Sequence, residues 1–104
     1  MKEISVTELK ELIDKGENFQ LIDVREPGEF QAANLGGELI PLATVPQNVA
    51  KFSKDKMVVV HCRSGKRSGD AIRFLETNFG YTNLYNLKGG ILAYKAEIDP
   101  SLNP

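Results

Sequence analysis

The sequence predicts a three-layer α/β domain, a mostly parallel five-stranded sheet with helices on both faces, and three observations lead there. An amphipathic stretch, Val6 to Ile13, is bracketed by short strand-like runs at Ile4 and at Phe19-Gln20-Leu21-Ile22-Asp23-Val24, which reads as a parallel β-α-β unit. Met57-Val58-Val59-Val60-His61 has the make-up of a buried strand, and it empties through a short glycine-containing loop into a second helical stripe. Asn83-Leu84-Tyr85-Asn86-Leu87 then alternates as a last strand would, before Lys88-Gly89-Gly90 breaks into a final helix, Ile91 to Ile98.

Each element carries its own signals. Ser5-Val6-Thr7-Glu8 has the capping-box form, a hydroxyl and a carboxylate three residues apart, so a helix starts there with Val6, Leu9, Leu12 and Ile13 on one face. Gly16 stops it. Arg25-Glu26-Pro27-Gly28-Glu29-Phe30 leaves the second strand through a short helical turn. Gly36-Gly37 turns the chain, and Glu38-Leu39-Ile40-Pro41 is a brief edge strand, where proline is tolerated. Pro46 fits the first turn of a small helix that buries Val49 and Phe52. Lys54-Asp55-Lys56 turns into the central strand. After the loop, Ala71, Ile72, Leu75 and Phe79 form a stripe that Gly80 ends. Residues 99–104 form an irregular tail, and residues 1–104 are expected to be one domain.

Composition excludes several function classes. Hydrophobic residues at 41% and charged residues at 26% are ordinary for a globular chain. A formal net charge of -1 gives no reason to expect nucleic acid or an anionic membrane as partner. No apolar run approaches a membrane span, and the N-terminus runs into an amphipathic pattern with no signal peptide in view. One cysteine allows no intramolecular disulfide and fits a reducing compartment, so a cytoplasmic protein is expected. One cysteine and one histidine are too few for a Cys/His zinc site.

The chemistry concentrates in His61-Cys62-Arg63-Ser64-Gly65-Lys66-Arg67-Ser68. If a strand ends at His61 and a helix begins near Arg67, the loop between them turns sharply, which Ser64 and Gly65 permit. Such a turn points several backbone N–H groups into one concavity at a helix start, an anion nest. A sulfur at its rim is stabilised as the nucleophilic thiolate by those donors and by Arg63, Lys66 and Arg67. Free cysteine more often behaves as a small buried hydrophobe. Cys62, however, lies beyond the apolar run at a strand's carboxyl edge, where open α/β sheets bind ligands. Cations at a helix start oppose the dipole, so a bound anion explains them better than stability does. His61 precedes Cys62 on a strand, where consecutive side chains point to opposite faces, so the two are not expected to touch.

Three stretches together, Asp23-Val24-Arg25-Glu26-Pro27-Gly28-Glu29-Phe30, His61 through Ser68, and Asn86-Leu87-Lys88-Gly89-Gly90-Ile91, resemble a rhodanese domain in order and spacing. The resemblance covers essentially the whole chain. It implies a sulfurtransferase that carries sulfur as a persulfide on Cys62, with Arg63, Ser64, Gly65, Lys66 and Arg67 as backbone cradle and positive side chains, and with no metal or organic cofactor. In the family's best-known reaction the thiolate attacks the outer sulfur of thiosulfate and releases sulfite, and a thiol or cyanide later removes the bound sulfur. Asp23 and Arg25 resemble the family's Asp-x-Arg segment, a structural feature, and Glu26 and Glu29 either pair with Arg25 or are solvated. The chain departs from the family pattern at Ala33-Asn34-Leu35, where many members have Gly-His-Ile, and at Tyr94, where tryptophan is common. Asn34 through Leu42 and the ending from Gly90 look like the rhodanese domains fused to adenylyltransferases that activate sulfur-carrier proteins, so a sulfur-carrier protein is a second expected acceptor.

Other functions fit less well. The signature His-Cys-x-x-Gly-x-x-Arg of related phosphatases needs arginine at position 68, which is serine; the arginine arrives one residue early, at Arg67. A shorter loop suits one sulfur atom better than a tetrahedral phosphate. A non-catalytic docking module is the rival from another class, and retention of Cys62 and its cationic loop argues against it. Redox sensing would need an external thiol, because no second cysteine is present to resolve an oxidised Cys62.

Overall fold

The computed structural model describes residues 1–104. The elements are β1 (Lys2–Ile4), α1 (Val6–Asp14), β2 (Gln20–Asp23), α2 (Pro27–Ala32), β3 (Glu38–Leu39), β4 (Val58–His61), α3 (Lys66–Phe79), β5 (Leu84–Leu87) and α4 (Gly90–Glu97), with 3-10 segments at Leu42–Gln47 and Val49–Lys51. The strands form one sheet in the order β1-β5-β4-β2-β3, and every pairing is parallel. The α/β expectation therefore holds, and β4 lies at the centre between β2 and β5.

β4 is buried along its whole length because helices cover both faces. Val58 and Val60 pack with Ile72 and Leu75 of α3 and with Phe52, while Val59 points the other way into Val6, Leu9, Leu87 and Tyr94. Each fully buried valine contributes about 1.5–3 kcal/mol. α1 starts as its sequence predicts: the Glu8 N–H donates to Ser5 Oγ at 3.1 Å and the Ser5 N–H to Glu8 Oε1 at 3.0 Å. Gly16, at φ 63°, follows its last turn.

Three expectations give way to packing. Pro46 lies inside the first 3-10 segment and not at a helix start; the bonds there run three residues back, Thr44 N–H to the Pro41 carbonyl and Asn48 N–H to the Val45 carbonyl. Phe52 is buried as expected, but Val49 only partly. Phe79 and Ile13, both assigned to apolar faces, remain 43% and 40% exposed. Each lies near its helix's C-terminal end. No helix is long and apolar enough to cross a membrane.

Candidate active site

The loop after β4 turns its donors inward and its acceptors outward. Cys62 Sγ receives the Gly65 N–H at 3.1 Å and the Ser68 N–H at 3.4 Å, and lies 3.4 Å from Ser68 Oγ. The carbonyls of Cys62 and Arg63 face the other way and accept from the Ile91 and Leu92 N–H groups at 3.0 and 3.2 Å. The first turn of α4 thus satisfies the loop's outer side and leaves its inner N–H groups for the sulfur. Gly65 takes φ 106° at the N-cap, so α3 starts at Lys66, one residue before the expected Arg67.

Cys62 is both a core residue and an acceptor. It is 1% exposed and belongs to the α3-side apolar cluster. Burial raises a thiol's pKa; the hydrogen bonds from the Ser68 hydroxyl and N–H and from Gly65, with the backbone of Ser64, outweigh it and hold the thiol below its ordinary value. The sulfur that the sequence separates from the apolar run in fact sits on top of it, with the nest closing over it.

The predicted cationic residues divide. Arg63 and Lys66 are exposed, and Lys66 lies 3.8 Å from Asp70. Arg67 is held by Glu29 through two bonds, 2.7 and 3.0 Å, so its charge is already answered by α2. Glu29 therefore pairs with Arg67, and its side chain is neither free nor paired with Arg25. The Arg67 hydrogen bonds bring the Glu29 carboxyl from 4.5 to about 2. A carboxylate lowered on folding stabilises above its unfolded pKa and loses that contribution as pH falls. Glu29→Gln is accordingly expected to cost about 1 kcal/mol at neutral pH, because the pair is partly solvated, with the difference from wild type closing between pH about 4.5 and 2. Denaturation midpoints across that range measure it.

His61 does not hydrogen-bond Cys62. Its ring is fully buried, neither nitrogen has a hydrogen-bond partner, and Nε2 lies 3.6 Å from Asp23 Oδ2. Burial lowers its pKa, with Asp23 opposing, so it stays neutral at neutral pH. Asp23 is occupied by Arg25, which donates through Nε and Nη2 at 2.8–3.1 Å and through its backbone N–H. Arg25 Nη2 also reaches the Ala33 carbonyl at 2.7 Å, tying the end of β2 to the end of α2, the helix that carries Glu29. At the departure from the family pattern, Asn34 caps that end of α2: Nδ2 donates to the Phe30 carbonyl and Oδ1 accepts the Gly36 N–H. Tyr94 is buried between α1 and the sheet.

Sequence reasoning missed the residues that act across elements. Ser68 stands in the quoted loop without a role as a site residue, and Asn86 enters only as part of an alternating strand and as the first residue of the third stretch that resembles the family. Asn86 is 6% exposed; its Oδ1 accepts from Ser68 Oγ at 2.6 Å and its Nδ2 donates to the Gly65 carbonyl at 3.0 Å. The available signal was a polar residue in a strand whose neighbours Leu84 and Leu87 are core.

Comparison with known proteins agrees with this geometry. The family model for the rhodanese-like domain matches residues 5–97. The chain is 36% identical over 101 residues to the putative sulfurtransferase YtwF of Bacillus subtilis, covering 96% of both. It is 31% identical to the probable adenylyltransferase/sulfurtransferase MoeZ of Mycobacterium tuberculosis, covering 95% of this chain and 26% of MoeZ, so it spans about a quarter of that relative's length. Among solved structures, a rhodanese-like domain protein from Staphylococcus aureus superposes with a TM-score of 0.81 at 33% identity, covering 90% of this chain and 91% of that one. Sheet order, the Cys62 loop and these relatives agree: the chain belongs to the rhodanese-like domain family and is related to sulfurtransferases.

Proposed function

We propose that the protein transfers sulfane sulfur from a small anionic donor such as thiosulfate to a thiophilic acceptor through a persulfide on Cys62. The observation that carries this reading is the convergence of the Gly65 N–H, the Ser68 N–H and the Ser68 hydroxyl on one sulfur at the carboxyl edge of the central strand. The Gly65 and Ser68 N–H groups, fixed before reaction, stabilise the thiolate without reorganisation, and no general base is needed once the thiol is ionised. The thiolate attacks the outer sulfur of thiosulfate, the S–S bond of the donor breaks, and sulfite leaves with the electron pair. The charge then rests on the outer persulfide sulfur. In this reading Arg63, Ser64, Gly65, Lys66 and Arg67 form the cradle, with Arg63 and Lys66 exposed to attract the donor, Lys66 beside Asp70, and Arg67 held to Glu29. An acceptor thiolate or cyanide attacks the outer sulfur and returns the Cys62 thiolate.

A sulfur-carrier protein is the second acceptor class, supported by similarity to a protein named for both adenylyltransferase and sulfurtransferase activity. Phosphate transfer is disfavoured, because Arg67 already carries a carboxylate and would have to exchange it for phosphate. The test is intact mass before and after thiosulfate. The wild type is expected to gain one sulfur atom, reversibly on reduction, and Cys62→Ser to gain none. Absence of a gain from thiosulfate and from a cysteine desulfurase alike would leave a docking module as the better reading.

A further inference from the structure

The Ser68 hydroxyl has one proton and two acceptors within reach. Asn86 is oriented unambiguously: the Gly65 carbonyl can only accept, so the amide nitrogen faces it and Oδ1 faces Ser68. At 2.6 Å, Oδ1 takes the Ser68 proton, and Ser68 Oγ turns a lone pair toward Cys62 Sγ at 3.4 Å. That arrangement suits a protonated sulfur, in a chain from S–H to Oγ–H to Oδ1. It does not suit a thiolate, which would face an oxygen lone pair. On ionisation the hydroxyl turns to the sulfur, since a bond to a charged acceptor is the stronger one, and Asn86 Oδ1 loses its donor in a site that is nearly fully buried.

We propose that Asn86 is a positioning residue that competes with Cys62 for the single Ser68 proton, and so favours the states in which Sγ carries no charge, thiol or sulfur-loaded, over the bare thiolate. The loaded part of this rests on the persulfide reading. In a persulfide the charge sits on the outer sulfur, Sγ is a weak acceptor, and the Ser68 proton returns to Asn86. Asn86 would then favour sulfur loading through a residue that never meets the donor.

Ultraviolet titration of the Cys62 thiolate, with Cys62→Ser as the blank, tests the competition without any sulfur transfer. Asn86→Leu is expected to lower the midpoint by roughly 0.5–1 pH unit, a threefold to tenfold change in the ionisation constant, as one rearranged hydrogen bond would. Ser68→Ala is expected to raise it. In the Ser68→Ala background, Asn86→Leu should then do nothing. A raised or unmoved midpoint in Asn86→Leu, or an equal shift with and without Ser68, would overturn the proposal, since a residue that merely braces the loop acts regardless of that hydroxyl. Asn86→Ala, which adds no bulk, gives the same reading if the leucine variant does not fold. In a separate arm, above the titration midpoint, the ratio of sulfur-loaded to unloaded protein at a fixed thiosulfate-to-sulfite ratio should fall threefold to tenfold in Asn86→Leu. Failure of the wild type to load at all sinks the sulfurtransferase reading and leaves the titration result standing, whereas an unchanged loaded fraction sinks the loading role alone.

Discussion

Arg25→Ala is expected to destabilise the protein by about 3–5 kcal/mol, enough to unfold most of the chain near physiological temperature if total stability lies at the lower end of the usual 5–15 kcal/mol. The size follows from what stays behind. Asp23 is fully buried, and its carboxylate is satisfied by Arg25 through the guanidinium and the backbone N–H. Without the side chain, the buried carboxylate keeps only the backbone N–H of residue 25 and the neutral His61 ring, 3.6 Å away. The Ala33 carbonyl loses its 2.7 Å donor as well, which frees the end of α2 and with it the position of Glu29. Replacing both partners, Asp23→Leu with Arg25→Met, should recover much of the loss, since an apolar pair of similar volume leaves no uncompensated charge. Denaturation of the two single variants and the double variant measures this; single variants that cost less than about 1 kcal/mol would mean the pair is far more hydrated than its burial indicates.

Gly90→Ala is expected to cost about 3 kcal/mol or more and to disturb the site in the same step. Gly90 has φ 61°, and a Cβ there would lie 2.4 Å from the Arg63 carbonyl oxygen and 2.6 Å from that of Cys62. Those atoms are backbone and cannot swing aside. They are also the carbonyls that accept from α4, so relief of the clash moves the loop that holds Cys62. A shift of roughly 10 °C or more in the melting temperature is the corresponding scale for a chain of this size. Gly65→Ala is the informative contrast: φ is 106°, but the nearest atom to a Cβ lies 3.7 Å away, so only the backbone conformation is penalised. A Gly90→Ala protein as stable as wild type would show that the α4 start and the loop are not in such close contact.

How much of this was legible in the chain depended on how far apart the interacting residues are. The α1 start was readable because Ser5 and Glu8 cap one another three residues apart. β4 was readable because its buried residues follow one another, and Cys62 because the loop that turns around it lies within six residues. Phe79 and Ile13 have the right helical spacing, but spacing alone does not say whether a partner packs against them, and both stay exposed.

The sequence by itself thus determined the fold class, the elements, the loop that holds Cys62 and the direction of its nest, each through contacts between near neighbours in the chain. Only the tertiary structure decided which charges remain available and which polar groups control the sulfur. Glu29 meets Arg67 across 38 residues and Asn86 meets Ser68 across 18. Both meetings depend on β4 lying between β2 and β5, neither of them its immediate neighbour in sequence across a short turn. A side chain's partners across a parallel sheet are set by strand order and register, and no local pattern in the chain encodes either one.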